Sequence, residues 1–82
     1  MWSGKKRKPV EVVLYTRQGC HLCDEAKAVL AEEGLRIREV DVDGDPELRS
    51  LHGDWVPVVE MDGKVRFRGR VNRVLLRRLL KG

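Results

Sequence analysis

The chain has two cysteines, and they stand three positions apart in Gly19-Cys20-His21-Leu22-Cys23. No other feature constrains the fold as much. A disulfide between them closes too short a loop to restrict the unfolded chain appreciably. The pair therefore does not read as the staple of a secreted disulfide scaffold, and in a reducing compartment such spacing points to redox chemistry or metal binding. The stretch follows an apolar run, Val10-Glu11-Val12-Val13-Leu14-Tyr15, and opens an amphipathic segment, which puts both thiols at a strand-to-helix junction.

At the start of a helix, residues three apart share a face. Their Cα atoms can then meet the roughly 4.4–6.8 Å separation a disulfide needs, so the pair can open and close with little backbone movement. The thiolate is the nucleophile, and the unfilled N–H groups and dipole of a helix N-terminus stabilise it; pKa values of about 3.5–7.5, against ~8.5 for a free thiol, are typical there. Cys20, the N-terminal member, is expected to be the exposed attacking thiol, and Cys23, one turn further in, the buried resolving one. Arg17 and His21 are candidate tuning residues whose positive charge favours the Cys20 thiolate, whereas Asp24 and Glu25 oppose it.

The pattern before and after the pair predicts β-α-β-α-β-β-α. Val10–Thr16 reads as a strand with a continuous apolar centre, as parallel strands covered on both faces do. Leu22, Ala26, Val29 and Leu30 fall on one face of a helix from about Cys20 to Glu33, closed by Gly34. Leu35–Val42 reads as a second strand, and strand–helix–strand order implies a right-handed crossover and a parallel pair. Asp45-Pro46 starts a short helix, with a capping residue followed by proline at the first helical position, and with Leu48 and Leu51 facing inward. Val56–Met61 and Lys64–Arg68 form a hairpin about Asp62-Gly63, with Val65 and Phe67 on one face of its second strand. Asn72 caps a last helix that turns Val74, Leu75 and Leu79, with Leu76 and Leu80 as further candidates, to the core.

With 82 residues, 41% of them apolar and 37% charged, the chain suits one small domain, residues 10–82, behind a flexible basic tail at Met1–Pro9. Nothing approaches the ~18 apolar residues of a membrane span. The basic start lacks the long apolar stretch and small-residue cleavage site of a signal peptide. A cytoplasmic monomer is expected.

Leu14-Tyr15-Thr16-Arg17-Gln18-Gly19-Cys20-His21-Leu22-Cys23, with the later Val56-Pro57-Val58-Val59 and Asp62-Gly63, resembles the glutaredoxin-like proteins of the thioredoxin fold, in particular a small bacterial family that carries Cys-His-Leu-Cys. The resemblance covers about Val10 to Leu80. It implies an α/β fold, a four-stranded mixed sheet with helices on both faces, and thiol–disulfide oxidoreduction through Cys20 and Cys23. It further implies a cis Val56-Pro57 bond beside the cysteines, with the Val56 backbone pairing with a bound peptide or thiol; a cis X-Pro bond is a minority state that a fold must hold deliberately. Trp55, just before it, is a third candidate for the substrate groove. The implied partner is a disulfide-containing protein or a small thiol, with no cofactor bound, and the electron donor is left open between glutathione and an external reductase. The pattern departs at Gly69-Arg70-Val71-Asn72, where glutaredoxins carry a glycine pair and an aspartate of their glutathione site. It departs again at Leu14, where thioredoxins carry a buried acid, so a thioredoxin-type proton relay is not expected.

Two other classes compete. A metal module would use Cys20, Cys23, His21 and His52, but no second Cys-x-x-Cys or His pair completes it in one copy, which leaves a dimer bridging a metal. A nucleic-acid module would use Arg66, Arg68, Arg70, Arg73, Arg77 and Arg78, but the interleaved aromatics that stack bases are missing. The arginines read instead as a solvated face, and no nucleic acid is expected.

Overall fold

The computed structural model describes residues 10–81; the tail read at Met1–Pro9 lies outside the described residues. The elements are β1 (Val12–Thr16), α1 (His21–Glu32), β2 (Ile37–Asp41), α2 (Pro46–His52), β3 (Val58–Met61), β4 (Lys64–Arg68) and α3 (Arg73–Lys81), with single 3-10 turns at Val42–Gly44 and Gly53–Trp55. The order is the one the sequence pattern predicts. β2 stops short of Val42 because the Asp41 carboxylate accepts the Asp43 N–H at 2.9 Å and bends the chain into a turn. β3 begins only after Pro57, which has no N–H for a sheet ladder.

The sheet order is β2-β1-β3-β4. β1 pairs parallel with β2 and antiparallel with β3, and β3 pairs antiparallel with β4. Asp62 and Gly63 turn the hairpin with φ of 52° and 84°, the left-handed pair that a tight two-residue connection requires.

One face of the sheet carries the core. Val12 and Leu14 of β1, Val59 and Met61 of β3, and Phe67 of β4 pack with Ala26 and Leu30 of α1 and Leu76 of α3. The other face carries α2: the His52 ring lies 4.5 Å from that of Tyr15, centroid to centroid, and Val58, opposite Tyr15 in the sheet register, is fully buried. The thinner side is α2, which buries none of its residues. Leu48 is half-buried, and Leu51, expected inward, is 66% exposed.

Two further expectations change. Val65 does not share a face with Phe67. Val59 pairs with Phe67 and Glu60 with Val65, so Arg66 is an extra residue in β4, and the bulge it makes reverses the alternation. In α3 the core residue is Leu76, completely buried with Leu80 partly so, while Val74, Leu75 and Leu79 are exposed. The helix is set down with the neighbouring stripe inward, its first turn held by the Asn72 side chain accepting the Leu75 N–H at 3.0 Å.

Candidate functional site

The loops after β1 and β2 emerge at the same end of the sheet because the two strands are parallel. The segment before antiparallel β3 reaches that end too: Tyr15 pairs with Val58, which sets Pro57 across from Thr16. Cys20, the turn at Val42–Gly44 and the segment Gly53–Pro57 thus meet at one edge.

Cys20 is not inside α1 but is its N-cap. Its backbone is extended (φ −93°, ψ 106°), and its Sγ accepts the Cys23 N–H at 3.1 Å, filling one of the open donors of the first turn. Gly19 supplies the φ of 78° that turns the chain into this position, with open space where a side chain would be. Cys20 and Cys23 are joined as a disulfide with Cα atoms 5.2 Å apart. Their surroundings differ. Cys20 is half-exposed, whereas Cys23 is 2% exposed. One cysteine is open to solvent and the other is enclosed. Leu14 is buried in the core, so no acid stands behind the pair at that position.

The Val56-Pro57 bond is cis and Pro57 is fully buried. The Gly69 N–H donates to the Pro57 carbonyl at 2.8 Å and the Trp55 carbonyl at 3.1 Å, fastening this segment to the end of β4. Between these two anchors Val56 makes no backbone hydrogen bond to another described residue. Trp55 is 58% exposed on the same segment.

Arg17 and His21 part company. His21 is the first residue of α1, exposed. The Arg17 guanidinium is bonded to Asp43, as its Nε and Nη2 donate to the two carboxylate oxygens at 2.8 and 3.0 Å while Nη1 donates to the Gly53 carbonyl at 3.1 Å. The same hydrogen bonds hold the Asp43 carboxyl below its ordinary pKa and raise that of Arg17. Gly53 packs beneath this group: a Cβ there would stand 3.1 Å from Arg17 Nη2 and 3.3 Å from Arg49 Cγ. The sequence marks Gly53 only as the end of the short helix, where it is indeed the C-cap, and does not mark Asp43. The available signal was topological, since an acid-rich turn after β2 must face the loop after its parallel neighbour.

The metal set is not assembled within one copy. The His52 ring lies tilted against Tyr15, and among the described residues no three His, Cys, Asp or Glu gather where they could hold an ion.

A Cys-x-x-Cys pair at the start of the first helix, at the same end of a β2-β1-β3-β4 sheet as a cis-proline segment, defines a thioredoxin-fold protein with a thiol redox site. The comparisons agree. The model of the Glutaredoxin-like domain (DUF836) matches residues 11–81, and the chain belongs to that family. An uncharacterized protein of Mycobacterium tuberculosis is 40% identical over 63 residues, 66% of this chain and 65% of that protein, so the chain spans a little under two thirds of the length of the mycobacterial relatives it matches. The N-acetyl-S-hydroxy-L-cysteine reductase of Bacillus subtilis is 32% identical over 65 residues, 73% of this chain and 70% of that one. Among solved structures, a structural-genomics target protein from X. campestris superposes with a TM-score of 0.76 at 33% identity, covering 85% of this chain and 95% of its own.

Proposed function

We propose that the protein is a dithiol–disulfide oxidoreductase that works in the cytoplasm and reduces disulfides of proteins or small thiols. The observation that carries this reading is the unequal exposure of two bonded cysteines: Cys20 half-exposed at the helix cap, Cys23 at 2% exposure behind it. In the reduced form the Cys20 thiolate attacks one sulfur of a substrate R–S–S–R′. The Cys20–S–S–R bond forms and R′S⁻ leaves. The Cys23 thiol gives up its proton and attacks the Cys20 sulfur, which forms the intramolecular disulfide and releases RS⁻. Two electrons pass to the substrate. Glutathione or a separate reductase restores the dithiol in the same steps reversed. Through its backbone, Val56 aligns the substrate chain beside Cys20, Pro57 fixes that segment, and Trp55 lines the approach.

The Bacillus relative favours a second substrate, a cysteine sulfenic acid. Cys20 thiolate attacks the sulfur of R–S–OH, hydroxide leaves and takes a proton as water, and the same mixed disulfide is resolved by Cys23.

The deciding experiment treats pre-reduced wild type, Cys20→Ser and Cys23→Ser with a small disulfide and with N-acetylcysteine sulfenic acid, and follows adducts by mass. Wild type should end as the internal disulfide, Cys23→Ser should accumulate a mixed disulfide on Cys20, and Cys20→Ser should do neither. Equal turnover by the two variants would sink the assignment.

A further inference from the structure

Charge in this chain is sorted by position. All thirteen acidic residues lie at or before Asp62, and residues 64–81 hold eight lysines and arginines with no acid. Two of the eight are neutralised at the C-terminal end of α1, as Arg73 meets Glu32 at 3.2 Å and Arg77 meets the C-cap Glu33 at 3.0 Å. Lys64, Arg66, Arg68, Arg70, Arg78 and Lys81 have no acidic side chain within 4.0 Å among the described residues. Protection of a sheet edge requires charge but not charge of one sign. The opposite edge strand makes the point, because β2 mixes Arg38 with Glu39 and Asp41. The single-signed face on β4 and α3 therefore calls for another explanation.

That face also holds apolar surface. Where α3 crosses β4, Leu75 (49% exposed) and Leu79 (38%) stand beside Phe67 and form an open groove rimmed by Arg66 and Arg78. A greasy floor between two unpaired guanidiniums fits an apolar side chain flanked by carboxylates. It suits a nucleic acid less well, because the one aromatic present, Phe67, is 7% exposed and offers no ring for stacking. The groove also leads to the redox site. From Arg66, β4 runs to Arg68 and then Gly69, whose N–H holds the Trp55 and Pro57 carbonyls. Three strand residues span on the order of 10 Å, which a few residues of extended chain would cover.

We infer that the groove between β4 and α3 is a docking track for an acidic polypeptide, and that a protein partner held there presents its disulfide to Cys20. The inference rests on the dithiol reading of Cys20 and Cys23 and adds a partner class: acidic segments with interspersed leucines, four to six residues from the exchanging cysteine. Carboxylates meet Arg66 and Arg78 at the rim, which raises the encounter rate and fixes orientation, while leucines cover Leu75 and Leu79.

The test compares single-turnover oxidation of the pre-reduced protein by two synthetic peptide disulfides. One carries a Glu/Leu segment five residues from the cysteine, and the other has each Glu replaced by Gln. A third oxidant, 2-hydroxyethyl disulfide, reads the redox site alone. At low salt the Glu/Leu peptide should react about tenfold faster than its Gln counterpart. The gap should close near 1 M salt, where screening acts within about 3 Å. Arg66→Gln combined with Arg78→Gln should abolish the preference without changing the 2-hydroxyethyl disulfide rate, and Leu75→Asn combined with Leu79→Asn should slow both peptides relative to 2-hydroxyethyl disulfide. Equal rates for the two peptides would overturn the inference, as would a preference that survives the arginine pair. Competition by single-stranded oligothymidine or anionic vesicles equal to that of the Glu/Leu peptide would overturn it too, in favour of a general polyanion surface. Loss of reaction with 2-hydroxyethyl disulfide in wild type would instead refute the dithiol reading beneath it.

Discussion

Arg17 is bidentate on Asp43, with 2.8 and 3.0 Å between donor and acceptor atoms, and the same guanidinium holds the Gly53 carbonyl at 3.1 Å. One side chain thereby joins three segments: the loop that leads to Cys20, the turn after β2, and the turn that leads to Trp55, Val56 and Pro57. The Arg17 carbonyl also accepts the Cys20 N–H at 3.3 Å. A residue marked in the sequence as a tuning neighbour of the thiol thus also grips both turns, and its geometry suits positioning the two halves of the site against each other.

Removing that link should slow exchange more than it unfolds the protein. Arg17→Met is expected to lower the rate with a small disulfide by about tenfold, within the range a misplacement of about 1 Å produces. Trp55 should become more mobile, which its fluorescence anisotropy would report once Trp2, the other tryptophan, is replaced by Phe. Arg17→Lys should restore part of the ion pair but not the three-way grip. Unchanged anisotropy and rate in Arg17→Met would refute the positioning role.

The link is pH-dependent in a definite direction. Hydrogen bonding to Arg17 lowers the Asp43 pKa from 3.8. A depressed carboxylate contributes stability that is present above the unfolded-state pKa and is lost as pH falls through the folded value. Acid unfolding below pH ~4 should be less steep in Asp43→Asn than in wild type, with the two converging at the lowest pH. Parallel curves would show the pair to be energetically silent.

Gly53 offers a second view of the same contact. Its backbone is ordinary right-handed helical (φ −54°, ψ −37°), so alanine meets no conformational penalty and by itself would stabilise by about 0.4–1 kcal/mol through the unfolded chain. The obstacles are steric, the Arg17 guanidinium 3.1 Å away and Arg49 Cγ 3.3 Å away. Gly53→Ala should therefore destabilise wild type and cost less in an Arg17→Ala background, where the closer contact is gone. Additive effects in a double-mutant cycle would mean the contact is not the reason for glycine here.

Tyr15 is the single tyrosine of the chain, which makes its titration directly readable from tyrosinate absorbance. Burial raises its pKa above 10.0, and the charge of Glu60 adds to this. The raised value contributes stability that is fully present below the unfolded-state pKa near 10.0 and is lost as pH rises through the folded value. Wild type should weaken above pH ~10, and Tyr15→Phe should weaken less. Glu60→Gln should bring the phenol midpoint back toward 10.0 but not to it, because burial is the larger cause. A midpoint at 10.0 in the native protein would contradict this picture of the α2 face.

Much of this was legible in the chain because local chemistry and global fold agree. The Cys20–Cys23 spacing, Asp45-Pro46, Asp62-Gly63 and the run before the cysteines each specify one backbone geometry, and each is found. The cis bond at Pro57 was visible through the family pattern alone, since nothing local to Val56-Pro57 distinguishes the two isomers. What stayed hidden depends on contacts distant in sequence. Arg17 lies 26 positions from Asp43 and 36 from Gly53, and only the parallel pairing of β1 and β2 brings them to one end. Arg66 gives no local sign that it will bulge, yet it reverses the face of Val65.

The hardest element to phase is α3, and it yields the sharpest packing test. Val74, Leu75, Leu76, Leu79 and Leu80 all lie within nine residues, so two stripes, Leu75 with Leu79 and Leu76 with Leu80, are equally apolar. Periodicity cannot choose between them. The Asn72 cap fixes where the helix begins, and the neighbours then decide: Leu76 is fully buried in the cluster with Leu14, Leu30 and Phe67, while Leu75 remains 49% exposed. Leu76→Ala should cost about 2–5 kcal/mol, as deletion of a buried leucine does. Leu75→Ala should change stability by about 0.5 kcal/mol or less and, if the groove is a docking surface, should weaken the response to the Glu/Leu peptide. Urea unfolding of the two variants side by side reads the difference. A larger loss at Leu75 than at Leu76 would mean that α3 sits one stripe over, with the leucines of the proposed groove in the core.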